Sequence, residues 1–266
     1  MLKNFGTKLR NSDGTATRLL DIFIILNLAF LALDVYIAHA VGGFTDTIEW
    51  LPIYFSFIAF GVLTGVHLTS KTQWLHWCRT CFGWGAICIG IAGMLFHLSS
   101  HFFTDASLKN LVYAAPFVAP LAYTGIGLLL LLNNLIPDTQ AEWAKWVVFL
   151  ALCGWCGNFI LSVLDHAQNG FFNITEWLPV ITSALASSSI GTLLCMQRKQ
   201  RFIPFCITVL CLNIIVGIAG FFLHLAADLQ VPATQGTDKL LYGAPLFAPL
   251  LFPNLSLLTL LGMWKL

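Results

Sequence analysis

Residues 204–227 run for a full membrane thickness without one Asp, Glu, Lys or Arg. A helix of that length crosses a hydrocarbon core of roughly 30 Å, and in lipid its backbone must be satisfied within the segment itself. Comparable apolar runs stand at 19–47, 51–68, 78–103, 111–134, 144–167, 177–195 and 239–264. Of 266 residues, 58% are apolar and only 9% charged, far from the balance of a soluble domain. The expectation is an all-α integral membrane protein with eight transmembrane helices. The period-two alternation of a membrane barrel is missing.

The cations set the expected orientation. Lys3, Lys8, Arg10, Arg18, Lys71, Arg79, Lys145, Arg198, Lys199, Arg201 and Lys265 fall on one side of the eight runs, and only Lys109 and Lys239 on the other. The positive-inside rule makes the first side cytoplasmic, so both termini are expected there. Residues 1–18 read as a basic cytoplasmic tail, and the run after them as an uncleaved anchor. A bacterial inner membrane fits this pattern. A net charge of +1 and the lack of a Gly-rich phosphate loop give no reason to expect nucleic acid.

Sliding the sequence on itself by 127 residues superposes His39 on His166, Glu49-Trp50-Leu51-Pro52 on Glu176-Trp177-Leu178-Pro179, and GIAGMLFHL (90–98) on GIAGFFLHL (217–225). A shift of 129 superposes Tyr113-Ala114-Ala115-Pro116 on Tyr242-Gly243-Ala244-Pro245. This predicts a tandem duplication of a four-helix unit, with repeats at 19–135 and 146–266 joined by a cytoplasmic linker at 136–145. An even number of helices per unit gives both copies the same orientation.

Both copies keep His, Glu and His, with a fourth position that is His101 in one and Asp228 in the other. All map to the extracytoplasmic third, where ionisable groups are costly unless they face the protein interior. Gly90 and Gly93 stand seven and four residues before His97, on one helical face, and Gly217, Gly220 and His224 repeat the arrangement. In an up-and-down bundle the first and third helices are diagonal partners, so a flat macrocycle between them is the leading expectation. Two b-type haems, one on His39 and His97 and one on His166 and His224, would use the glycines as room for the porphyrin. Lys109 and Lys239 would meet the propionates.

Three other readings stand beside this one. A non-haem Fe, Cu or Zn ion would take His39, Glu49, His97 and His101 in the first copy and His166, Glu176, His224 and Asp228 in the second. A proton-coupled transporter would move protons through the acids and histidines. A purely structural account makes the histidines a hydrogen-bonded network and the glycines a close-packing seam. Asp34 and Asp165 have no repeat partners, and a hydrogen bond to a neighbouring helix is expected for Asp34. His67 and His76, also unrepeated, read as interface residues.

The cysteine pairs Cys78/Cys81 and Cys153/Cys156 lie at different depths and do not correspond under the repeat, so they read as small buried apolar residues. Paired prolines, Pro116 with Pro120 and Pro245 with Pro249, predict bends in the fourth and eighth helices, with space for a quinone as one consequence. The functional expectation is a membrane redox subunit passing electrons between quinol and an outer partner, within the bilayer and beside other subunits.

Overall fold

The computed structural model describes residues 14–69, 72–197, 199–230, 232 and 236–266. Lys3, Lys8, Arg10, Lys71 and Arg198, and most of the expected basic tail, lie outside the described residues. Within them the chain is helical throughout, with no strand. Six helices are long and apolar enough to cross a membrane, which makes this an all-α integral membrane fold.

The helices are α1 (Thr15–Gly42), α2 (Trp50–Leu68), α3 (Thr72–His101), α4 (Leu108–Tyr113), α5 (Leu121–Leu135), α6 (Ala141–Gln168), α7 (Trp177–Cys195), α8 (Ile203–Gln230), α9 (Gly236–Leu241) and α10 (Leu251–Lys265). In each half the first, second and third helices are the membrane-length ones. The expected fourth and eighth spans, 111–134 and 239–264, are not continuous helices. A six-residue helix is followed by a proline-containing turn and then a helix of only 15 residues. At 1.5 Å per residue those 15 cover about 22 Å, short of a hydrocarbon core. The sequence predicts a bend at these prolines, and the structure has a break. The reason is local: Pro120 and Pro249 bring no amide to the carbonyls four residues back, and Ala114 before the turn is already extended, at φ −73° and ψ 168°.

In the first half α1 packs on α2 and α5, and α3 on α2 and α5; in the second half α6 packs on α7 and α10, and α8 on α7 and α10. The helices therefore form two rings of four in which α1 and α3, and α6 and α8, stand on diagonals. The halves meet reciprocally, α5 against α6 and α10 against α1. Leu20, Ile24 and Leu28 of α1 pack with Leu130 of α5 and with Trp143 and Val147 of α6 in one buried cluster. A second cluster gathers Trp155 of α6, Ile190 and Leu193 of α7, Leu210 of α8 and Phe252 of α10.

The end of the bundle away from the repeated histidines holds a buried polar network that the sequence reading missed. Arg79 Nε donates to Asp21 Oδ1 at 3.0 Å, and Nη2 donates to Asp21 Oδ2. Asn133 Nδ2 donates to Asp21 Oδ1 at 2.8 Å, while its own Oδ1 accepts from Trp143 Nε1 at 3.1 Å. His67 Nδ1 stands 3.7 Å from Asp21 Oδ2. Arg79, counted above as a loop-side cation, is thus a buried partner of Asp21.

Candidate functional site

Each candidate site starts from a helix end. α1 stops where Gly43 adopts a left-handed conformation at φ 73°, and Phe44 follows at φ 52°. A bulky residue at positive φ is strained, so something must hold it there. The Phe44 ring stacks on Trp50, with centroids 4.1 Å apart and planes 18° apart, and faces the ring of His39 on its other contact. The turn Thr47–Glu49 then carries Glu49 back toward the end of α1, so that Glu49 Oε2 lies 3.4 Å from His39 Nδ1. Thr45 Oγ1 donates to the other carboxylate oxygen at 3.2 Å. The second half repeats the turn and the stack, with Phe172 at the position of Thr45. Gly170 and Phe171 have φ 70° and 50°, Phe171 stacks on Trp177 at 4.2 Å and 18°, and Glu176 Oε2 lies 3.7 Å from His166 Nδ1.

The third helix of each half carries GIAGMLFHL or its counterpart, and its glycine face is occupied. A Cβ on Gly90 would stand 2.6 Å from the backbone nitrogen of Thr124 and 2.9 Å from the oxygen of Pro120; one on Gly93 would stand 2.8 Å from Pro120 Cβ. A Cβ on Gly217 would meet Pro253 Cδ at 2.4 Å and Pro249 O at 2.7 Å, and one on Gly220 would meet Pro249 Cβ at 3.0 Å. Above the glycines, His97 Nδ1 donates to Pro116 O at 3.0 Å and His224 Nδ1 to Pro245 O at 2.9 Å. The contacts descend in four-residue steps: His97 on Pro116, Gly93 on Pro120, Gly90 on Thr124, matched by His224 on Pro245, Gly220 on Pro249 and Gly217 on Pro253.

This seam has a cause. In a continuous helix Pro116 O would accept from residue 120, which is proline and has no N–H. Ala119 N reaches it at 3.1 Å instead, and His97 supplies the second donor. Ala248 N and His224 do the same for Pro245 O. Gly90, Gly93, Gly217 and Gly220, expected to clear room for a porphyrin, therefore make room for the proline segment.

The imidazoles share one arrangement. Pro116 O and Pro245 O only accept, so His97 and His224 carry their proton on Nδ1. Among the described residues none of the four Nε2 atoms has a hydrogen-bond partner. His39 and His97 face each other with ring centroids 6.2 Å apart and planes 64° apart. His166 and His224 are near enough for their charges to interact.

The remaining site residues fare differently. No three His, Cys, Asp or Glu side chains among the described residues are grouped to hold a metal ion. Glu49 and Glu176 sit on the Nδ1 sides of His39 and His166, at 3.4 and 3.7 Å. Asp228 is fully buried and accepts from Ala244 N at 2.6 Å through Oδ1, which ties down the turn before α10; its Oδ2 has no partner among the described residues. The side chain of His101 lies outside the described residues. Lys109 is exposed, and Lys239 Nζ donates to Leu229 O at 3.0 Å. Phe44 and Phe171, which press on the rings, were missed, although the paired Gly-Phe at 43–44 and 170–171 was readable from the same 127-residue offset. Comparison with protein-family models, with curated proteins and with solved structures gives no match.

Proposed function

We propose that this chain is a membrane redox subunit, a tandem duplication of a four-helix unit, in which paired imidazoles hold one haem b per half. The carrying observation is the state of the four histidines. His97 and His224 have Nδ1 on a proline carbonyl, His39 and His166 have Nδ1 turned toward a carboxylate at 3.4 and 3.7 Å, and no Nε2 has a hydrogen-bond partner among the described residues, which is how outer partners orient ligating imidazoles. Two imidazoles per half is the number that a six-coordinate b-type haem takes from a protein. His39 and His97, which would hold the group in the first half, stand with ring centroids 6.2 Å apart.

In this reading the histidine end is extracytoplasmic, both termini are cytoplasmic, and the short fourth helices complete eight membrane segments in a bacterial inner membrane. Electrons pass between quinol and an outer partner, with other subunits supplying chemistry outside the bilayer. The haem carries the electron, and the chain supplies ligation, ring orientation and a low-dielectric surround.

A second reading rests on volume. The glycine face is filled, and the roomier of the two described cavities, about 220 Å³, is lined by none of the four histidines. That favours a small ion, copper or iron, between the same Nε2 atoms. One experiment separates the two: an absorption spectrum and metal analysis of protein purified in detergent. A Soret band with two irons per chain is expected, with His97→Ala and His224→Ala each removing about half of it. Copper or iron without a Soret band selects the ion. Absence of both, in protein that unfolds cooperatively, defeats the proposal.

A further inference from the structure

The cavity of about 220 Å³ belongs to neither histidine pair. It lies where the two halves meet, between α1 and the turn that precedes α10. Asp34, Ala38 and Val41 form one wall, and Tyr242, Pro245 and Phe247 belong to the other. Asp34 is the only charged side chain in the lining. It sits eight residues before the end of α1, about 12 Å inside it at 1.5 Å per residue. Its carboxylate has no hydrogen-bond or ion-pair partner among the described residues, so the hydrogen bond to a neighbouring helix expected for it is not made.

An unpartnered carboxylate in a membrane segment is costly, and proteins place such groups where a cavity or a counter-charge receives them. Here no counter-charge pairs with it among the described residues. The cation nearest in sequence to the cavity wall, Lys239, is engaged by the carbonyl of Leu229. The rest of the lining is apolar or aromatic, which suits an alkylated cation better than a hydrated metal ion, because rings and methyl groups take up the organic surface while the carboxylate takes the charge. The volume is room for about seven waters, at roughly 30 Å³ each, or for one small organic molecule.

We propose that this cavity binds a small organic ammonium ion, with Asp34 as its counter-ion and the 242–247 segment as its apolar wall. None of the paired imidazoles lines the site, although Pro245 belongs both to its wall and to the His224 contact. Its existence depends on the break before α10, since a continuous helix would not present residues 242–247 as a turn.

The test is equilibrium binding to the purified full-length chain in detergent, with radiolabelled choline as the probe and its uncharged isostere 3,3-dimethyl-1-butanol as competitor. Saturable choline binding near one per chain is expected, with the isostere at least tenfold weaker. Asp34→Asn, which keeps the shape of the side chain, should weaken choline at least tenfold; Ala38→Phe, which fills the cavity and keeps the charge, should do the same. Asp165→Asn should leave binding unchanged. Each variant is compared at equal thermal stability, so that loss of binding is not loss of fold. The proposal is overturned if choline does not bind saturably, if the uncharged isostere competes equally, if Asp34→Asn binds as the parent does, or if sodium displaces choline as well as tetramethylammonium.

Discussion

The two ends of this bundle treat the chain's two halves in opposite ways. At the histidine end the halves agree in detail: Phe on Trp at 4.1 and 4.2 Å, His on the proline carbonyl at 3.0 and 2.9 Å, a strained Phe at φ 52° and 50°. At the opposite end the buried polar network of the first half has no counterpart in the second. Asp21, Arg79, His67 and Asn133 of the first half stand where the second, at the same offsets, has Val148, Cys206, Leu194 and Gly262. A charged, hydrogen-bonded solution and an apolar one fill the same place in the same kind of four-helix ring. Gly262 is packed so closely that a Cβ there would stand 2.7 Å from Val148 Cγ2. Helix packing at that end is therefore satisfied by either chemistry.

The largest effect expected from breaking this contrast lies in the charged network. Arg79→Ala leaves Asp21 buried without its ion partner, and removing one member of such a pair costs about 3–5 kcal/mol. Thermal unfolding in detergent should show it. The combined change Asp21→Val, Arg79→Cys, His67→Leu and Asn133→Gly, which writes the second half's solution into the first, should recover most of that loss. A combined variant no more stable than Arg79→Ala would mean that the two ends of the bundle are not interchangeable chemistries.

Next in size is the glycine seam. Gly90→Ala and Gly217→Ala each drive a Cβ into backbone atoms, and overpacking of this kind costs roughly 1–3 kcal/mol. The two should be alike. Gly65, with open space around it, is the control: Gly65→Ala should stabilise α2 by about 0.5–1 kcal/mol. Smallest is the aromatic stack. Phe44→Leu and Phe171→Leu remove ring-on-ring contacts with Trp50 and Trp177 worth about 0.5–1.5 kcal/mol, and the two losses should agree within about 0.5 kcal/mol. Unequal losses would show that the histidine ends differ in a way their distances hide.

Several of these features could be read before any coordinates. Membrane length and lack of charge mark α1, α2, α3, α6, α7 and α8, because hydropathy over a span is a local property of sequence. The repeated His, Glu and His positions were readable for the same kind of reason, since an offset of 127 is visible without geometry. The broken fourth segments were half legible: two prolines four apart signal a disturbed helix, but whether it bends or stops depends on what accepts and donates around it, and that donor is His97, on another helix. Gly90 and Gly93 mark a close approach in either reading, and sequence cannot say whether a porphyrin or Pro120 approaches. Asp21, Arg79 and Asn133 were hidden because each lies near the end of its own apolar run, where a polar residue looks like a boundary. Only their meeting in space makes them a network.

One carboxylate in the linker between the halves bears on how the chain is made. Asp138 Oδ2 accepts from the backbone amides of Ala16 and Thr17 at 2.9 and 3.1 Å, and Oδ1 accepts from Gly14 at 3.1 Å. The amides at the start of a helix have no partner within it, and α1 begins with a glycine in place of a capping side chain. During synthesis the first helix must therefore wait for more than a hundred further residues before its leading turn is closed. A ribosome stalled before Asp138 would hold a first half whose opening turn is still frayed, and residues 136–145 finish that half as much as they connect it to the next.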